Sequence, residues 1–323
     1  MERFIGVDLG GAHVGVAVVD TGTGELHGLK EIPTQSRDGY PAVIDRMADL
    51  IEDVIAHSGV PRGEIGGVGI GVPGRVDFAQ GVVQFVPNLY GHWQDVPLGR
   101  LMEARLRLPV FLLNDVRAMT LAEWTFGAGQ GVDTIACIAI GTGIGGGFVI
   151  DGRLHLGIGG TAGEVGHQIV EVDGPRCGCG SRGCLETLAS GPAITAMGLD
   201  AVARGLATTI GELVSYDLNR INPEVISRAA LEGDAISREI YERAGTYLGV
   251  AVANLLLSVG PPRVVIGGGV AQAGDLLLEP LRRAVRERVF LLPVDQVEIV
   301  PARLGTQAGI IGDALWARQC LKR

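Results

Sequence analysis

The chain has 323 residues, 47% of them hydrophobic and 20% charged, and a net charge of -9. This argues against global disorder, which needs low hydrophobicity and high net charge, and against duplex nucleic acid as the main partner, which needs a basic face. The 51 glycines, about twice the usual share, follow no Gly-X-Y period and belong in turns and close backbone approaches.

Phe4 to Asp20 reads as strand, glycine turn, strand. Ile5 and Val7 precede Asp8-Leu9-Gly10-Gly11, and Val14, Val16, Val18 and Val19 follow. Val43, Ile44, Met47, Leu50, Ile51, Val54 and Ile55 recur at helical spacing, with Gly59 as the stop. Ile65 to Val72 reads as a strand ending in the turn Pro73-Gly74, Leu98 to Leu106 as a helix, and Val110 to Leu113 as a buried strand. Asn114-Asp115 opens a helix to about Phe126. Strand, glycine turn and strand then recur: Ile135 to Ile140, Gly141-Thr142-Gly143-Ile144-Gly145-Gly146-Gly147, and Phe148-Val149-Ile150. Helix (about 235–258), strand Val264 to Ile266, helix (about 275–288), strand Val297 to Val300 and helix (about 307–320) close the series. The repeated unit points to an internal duplication, and the alternation to two α/β lobes with a mixed sheet in each. We expect a small lobe from residues 1–118 plus about 305–323, and a large lobe from 119–304.

Glu2 and Asp8 come too early for a signal peptide. The stretch Tyr247 to Val259 contains Asn254, ends at Pro261-Pro262, and is shorter than the roughly 18 apolar residues of a membrane span. The expectation is a cytoplasmic chain without membrane contact. Its cysteines are then metal ligands or buried thiols rather than disulfides.

The glycine turns suit a polyanion, because backbone N–H groups can reach phosphate where no side chain blocks them. Gly10-Gly11, the Gly141 to Gly147 turn with Thr142 and Gly143, and Gly267-Gly268-Gly269 each follow an apolar strand. None fits a P-loop or a Rossmann fingerprint. Together they point to a nucleotide, with Asp8 placed to hold Mg²⁺ through water or simply to shape the turn.

His167, Cys177, Cys179 and Cys184 follow the spacing His-x9-Cys-x-Cys-x4-Cys, with Gly178, Gly180 and Gly183 between. Three thiolates and an imidazole make a closed tetrahedral set for structural Zn²⁺. Glu164 and Glu186 flank the cluster, so the metal would hold both carboxylates against a polar ligand. Asp115 has two readings. Asn and Asp are preferred helix caps; equally, a carboxylate at the C-terminal end of a buried strand can take a proton from a substrate hydroxyl. Asn88 and Asn114 are candidates for binding hydroxyls, and Trp93 is either a sugar-stacking side chain or a half-buried anchor.

These residues resemble the ROK family of sugar kinases and sugar-responsive repressors. The resemblance runs through Asp8-Leu9-Gly10-Gly11, Gly71-Val72-Pro73-Gly74-Arg75-Val76-Asp77, Pro87-Asn88-Leu89, Asn114-Asp115 and Ile140 to Gly147. Its most specific block is Gly163-Glu164-Val165-Gly166-His167 with Cys177-Gly178-Cys179-Gly180-Ser181-Arg182-Gly183-Cys184-Leu185-Glu186. It implies an α/β two-lobed actin-like fold, ribonuclease H-like and duplicated, with the ligand cleft between lobes. It implies an ATP-dependent hexose kinase acting on the 6-hydroxyl of glucose, with Asp115 as catalytic base. Gly74, Asn88, Asn114, Asp115, Glu164, His167 and Glu186 would face the sugar, His167 sharing its ring between zinc and sugar. Asp8, Gly10, Gly11, Thr142, Gly143 and Gly267 to Gly269 would face the nucleotide and its Mg²⁺. A homodimer or homotetramer is implied as well. N-acetylmannosamine, N-acetylglucosamine or another hexose is the alternative substrate, and a non-catalytic sugar-binding or regulatory protein the alternative class.

Three residues depart from the family pattern: Ala12, His13 and Arg117. Ala12-His13 stands where Thr and often Lys are common; the missing hydroxyl would remove one phosphate hydrogen bond, worth about 1 kcal/mol. Asn114-Asp115-Val116-Arg117 stands for the more usual Asn-Asp-Ala-Asn. Arg117 would pair with an acidic neighbour or touch phosphate, and polyphosphate is an alternative donor.

Overall fold

The computed structural model describes residues 2–86, 89–91 and 93–322. The chain forms two compact units, the first from residues 1–133, 147–162 and 303–323, the second from 134–146 and 163–302. No described helix is long and apolar enough to cross a membrane.

The chain begins with β1 (Arg3–Leu9), β2 (His13–Asp20), β3 (Leu26–Pro33) and α1 (Tyr40–His57). Next come β4 (Ile65–Val72), the short β5 (Arg75–Asp77), β6 (Val82–Phe85) and β7 (Gln94–Val96), then α2 (Leu98–Leu106), β8 (Val110–Asn114) and α3 (Asp115–Phe126). The glycine turn recurs between β9 (Ile135–Ile140) and β10 (Ile144–Ile150), followed by β11 (Arg153–His155). Four helices follow: α4 (Glu186–Ala189), α5 (Gly191–Ala203), α6 (Ile210–Leu213) and α7 (Pro223–Leu231). The series ends with α8 (Ala235–Ser258), β12 (Arg263–Gly267), α9 (Asp275–Arg286), β13 (Glu298–Pro301) and α10 (Ala308–Leu321).

The first sheet runs β3-β2-β1-β4-β8 and the second β11-β10-β9-β12-β13. In the first, β2 is antiparallel to β1 and β3, and β4 is parallel to β1 and β8. In the second, β10 is antiparallel to β11, and β12 is parallel to β9 and β13. The matching order of hairpin and parallel strands is the duplication expected from the two glycine turns. A small third sheet runs β5-β6-β7.

The first sheet sorts its residues by face, as period-2 strands must. Ile5, Val7 and Leu9 of β1 and Val68, Ile70 and Val72 of β4 join the apolar stripe of α1 in one core. Each such buried side chain contributes about 1.5–3 kcal/mol. On the other face lie Phe4, Ala17 and Val19, packed with Ile310, Ile311, Ala314 and Trp316 of α10. Here β1 and β4 present glycine. A Cβ on Gly69 would lie 1.8 Å from the Asp313 carbonyl oxygen, and one on Gly6 1.8 Å from that of Ile310. The helix therefore rests on the sheet backbone to backbone, with no room for a methyl group.

Candidate active site

In the first unit the chemistry gathers where β1, β8 and α10 meet. Asp8 is the next-to-last residue of β1, Asp115 opens α3 after β8, and Asp313 projects from α10. Asn114 caps α3, its side chain accepting from Val116 N and Arg117 N at 3.1 and 3.3 Å. The same side chain donates from Nδ2 to the Gly74 carbonyl at 3.1 Å, joining the turn after β4 to the start of α3. Gly74 sits at φ +87, where a side chain would be strained. Val116 N donates to Asp115 Oδ1 at 2.9 Å.

Crowding by protein pushes the Asp115 carboxyl up to about 7, the nearby Asp8 carboxylate adding to the effect and the Val116 N–H and Arg117 opposing it. Asp8 rises to about 6 for the same first reason, with Glu31 adding. Both keep an accessible edge. The result is a carboxylate whose proton affinity suits a general base near neutral pH. Gly10 closes the β1–β2 turn, its N–H donating to His13 O at 2.9 Å and its carbonyl accepting from Thr34 Oγ1 at 2.7 Å. Gly11 is exposed.

Asp313 gave no signal in sequence beyond an acidic residue inside an apolar helix, Ile310-Ile311-Gly312-Asp313-Ala314-Leu315. It is fully buried, and neither carboxylate oxygen has a hydrogen-bond partner among the described residues. Burial holds its carboxyl well above the usual range, and Asp8 and Asp115 add to this. Glu123 in α3 is the contrast: equally buried, it accepts from Ala128 N at 2.8 Å, Arg303 N at 3.0 Å and Leu304 N at 2.8 Å. Because Asp313 keeps its proton in the fold after the unfolded chain has released it, stability falls as pH rises above the unfolded value near 3.8. Asp313→Asn is therefore expected to melt higher than wild type, by a margin that widens from pH 4 to pH 8. Melting curves across that range test this, and a margin independent of pH would reject the buried-acid account.

In the second unit a cavity of about 800 Å³ is lined by Gly141, Thr142, Asn222, Glu224, Tyr241 and Gly269, among others. That volume suits a nucleotide-sized ligand. Gly267 and Gly268 precede its lining residue Gly269 in the chain. Gly268, at φ +87, packs on β9, where a Cβ would lie 2.3 Å from the Ile140 oxygen, and Gly267 ends β12 opposite Ala139. Gly143 leaves room for Glu186: a Cβ there would meet Glu186 Oε2 at 2.5 Å, and that oxygen accepts from Ile144 N at 3.0 Å. Glu186, the first residue of α4, is thereby tied to the second glycine turn.

A ring nitrogen of His167 and the sulfurs of Cys177, Cys179 and Cys184 all lie within 4.8 Å of one another. Cys179 and Cys184 sulfurs are 3.7 Å apart, and Cys177 Sγ is 3.6 Å from His167 Nδ1. Zn–S bonds of about 2.3 Å at tetrahedral angles require sulfurs about 3.8 Å apart, so the donor set fits that ion. Cys177 N donates to Ser181 O at 2.9 Å and Gly180 N to Cys177 O at 3.0 Å, folding the loop into a tight turn. Without metal, burial pushes the Cys184 thiol up to about 12, so a zinc ion must displace its proton. Glu164 immediately precedes the short helical turn carrying His167, whose N–H donates to the Glu164 carbonyl at 3.1 Å.

Asn88 lies outside the described residues. Trp93 is 3% exposed and packs edge-on against Tyr40 at 6.0 Å, which makes it a core anchor. Arg117 is buried rather than standing in solvent: it is 3% exposed and its Nε donates to the Ala162 carbonyl at 2.9 Å.

The ROK family model matches residues 4–320. The chain belongs to the ROK family. Its fold is the actin-like α/β fold of that family, with two lobes. It is 37% identical to the glucokinase of Thermotoga maritima over 314 residues, covering 97% of this chain and 96% of that one. A ROK family glucokinase from Streptomyces griseus, solved in complex with glucose and AMPPNP, is 33% identical with a TM-score of 0.82 and covers 98% of this chain and 99% of that one. The xylose repressor of Bacillus subtilis is 30% identical over 311 residues, covering 95% of this ROK chain but 75% of the repressor.

Proposed function

We propose that this chain transfers the γ-phosphoryl group of ATP to the 6-hydroxyl of glucose, with Asp115 as general base. It is an ATP-dependent hexose kinase, a reading supported by similarity to glucokinases along nearly the whole chain. The observation that carries the mechanism is Asp115: a carboxyl raised to about 7 at the start of α3, with Asn114 locked beside it. Asp115 takes the proton of the sugar hydroxyl as its oxygen bonds to the γ-phosphorus. The bond from that phosphorus to ADP breaks, and the proton leaves Asp115 to solvent. Asn114 has one amide hydrogen left for a sugar oxygen after its bond to Gly74. Glu164 and the free oxygen of Glu186 accept hydroxyl hydrogens, His167 offers Nε2, and Asn88 and Gly74 complete the sugar contacts.

The cavity edged by Gly141, Thr142 and Gly269 takes the nucleotide, with Gly143, Gly267 and Gly268 shaping its floor. Asp8, Gly10 and Gly11 serve the phosphates. Mg²⁺ bound with ATP would neutralise charge on the transferring group, and the hard, partly accessible carboxylate of Asp8 suits a hydrated ion. Zn²⁺ on His167, Cys177, Cys179 and Cys184 would have no open position, so its work is to hold the loop that orients Glu164 and Glu186. The same reading makes the chain a cytoplasmic homodimer or homotetramer.

The test is sugar-dependent ADP production from Mg-ATP over a hexose panel. Glucose is expected to be turned over best, ahead of mannose and the N-acetylated hexosamines. Sugar binding with no turnover from ATP or polyphosphate would instead support a regulator, the reading favoured by the likeness to xylose repressors.

A further inference from the structure

We propose that Arg117 is a positioning residue that ties the helix bearing Asp115 to the chain segment leading into Glu164. The proposal rests on the kinase reading above.

A guanidinium that is 97% removed from solvent must be held by specific partners, because an unpaired buried charge is costly. Arg117 is 3% exposed and directs Nε at the Ala162 carbonyl, 2.9 Å away. The receiving backbone is fixed in turn. Ala162 N donates to Leu156 O at 2.9 Å, closing the loop after β11. Gly163 follows at φ +102, a conformation that favours glycine, and its carbonyl accepts from Val165 N at 2.7 Å. The bond from Val165 N to the Gly163 carbonyl encloses Glu164, the residue on which this turn opens. At the other end of the tether, Arg117 N is capped by Asn114 Oδ1 at 3.3 Å, two residues from Asp115. One side chain thus links the first turn of α3 to the residue where the chain leaves the first unit, Ala162.

Catalysis of this kind depends on placing the base and the groups that hold the sugar to within about 1 Å, with losses of roughly 100-fold for larger errors. Arg117 also faces Asp115 electrically. The groups around that carboxyl are Asp8 from β1, Asp313 from α10 and Arg117 from its own helix, and Arg117 is the cation among them.

The experiment compares Arg117→Met and Arg117→Lys with wild type for kcat, KM for glucose, KM for ATP, pH profile and melting temperature. Arg117→Met is expected to raise KM for glucose and lower kcat, each about tenfold or more, while KM for ATP stays within about twofold. Its acid limb should move to higher pH, because loss of the cation favours protonated Asp115. Arg117→Lys should restore the acid limb by its charge but not KM for glucose, since an ammonium cannot reproduce the fixed guanidinium geometry. If Arg117→Met does not fold, Arg117→Lys decides by its KM for glucose alone. Wild-type constants in the folded variants, or equal losses for glucose and ATP, overturn the proposal. A wild-type chain without hexose turnover overturns the kinase reading and this proposal together; normal wild-type turnover with unaffected variants overturns only this one.

Discussion

Asp115→Asn is expected to bind glucose and to lose phosphoryl transfer by about 100- to 10,000-fold, the range for removing a positioned general base. The substitution keeps the size of the side chain and the end of α3, since the cap belongs to Asn114. It removes the carboxylate proposed to take the hydroxyl proton. In wild type, activity should fall as pH drops through about 7, where Asp115 becomes protonated; the residual activity of the variant should lack that limb. The stability effect has the opposite sign. A carboxyl whose folded value is raised binds protons that the unfolded chain has released, so it lowers stability as pH rises from about 4 to 7. The inactive variant should therefore melt higher than wild type at pH 8. Turnover within tenfold of wild type, with binding intact, would remove Asp115 from its role.

Loss of the metal centre is the second large effect. Purified protein is expected to carry one zinc per chain, and its removal by a strong chelator should lower melting temperature and glucose affinity together. Cys184→Ser should do the same without chelator, because Cys184 is fully buried and its sulfur lies 3.7 Å from that of Cys179. The loop has little apolar filling of its own, and structural zinc sites contribute folding energy directly. A loss of about 4 kcal/mol corresponds to a drop on the order of 10 °C in a domain of this size. Glucose affinity should follow because Glu164 and Glu186 flank the ligands at either end. Verified zinc removal that changes neither melting nor affinity would sink the structural role.

Much of the scaffold was legible because its strands and long helices are strongly periodic. Ile65–Val72 and Leu98–Leu106 carry the bounds expected for them, and the two glycine turns disclosed the duplication. Four helices between Glu186 and Leu231 were not foreseen: α4 and α6 are single turns of four residues, and the thirteen residues of α5 are apolar almost all round and show no stripe. The edge strand β3 was hidden for another reason: none of its residues is buried, and it exposes Leu29 as well as Glu31, so no inward and outward alternation shows. The cysteine spacing disclosed a cluster of four potential metal ligands, whose donor atoms the fold gathers within 4.8 Å of one another. Asp313 stayed invisible because burial is a tertiary property; only the approach of α10 to Gly69 and Gly71 turns an ordinary acidic residue into a solvent-free one. Trp93 is the converse, an aromatic whose loop position left sugar stacking and a half-buried anchor equally open and whose surroundings are core.

The backbone contact between α10 and the first sheet bears on how the chain comes into being. β1 and β4 are made well before α10, yet the cover of one face of their sheet is completed only by that helix, which ends at Leu321. Domains usually fold in order of synthesis; here the sheet must wait, half bare, until the long stretch between β4 and α10 has been made. Nascent chains arrested before α10 should stay susceptible to protease across β1–β4, and those arrested with α10 outside the tunnel should become resistant. The glycines that admit the helix so closely leave that waiting face with few side chains to attract other chains. Gly6, Gly69 and Gly71 thus keep an unfinished molecule quiet as well as letting the finished one close.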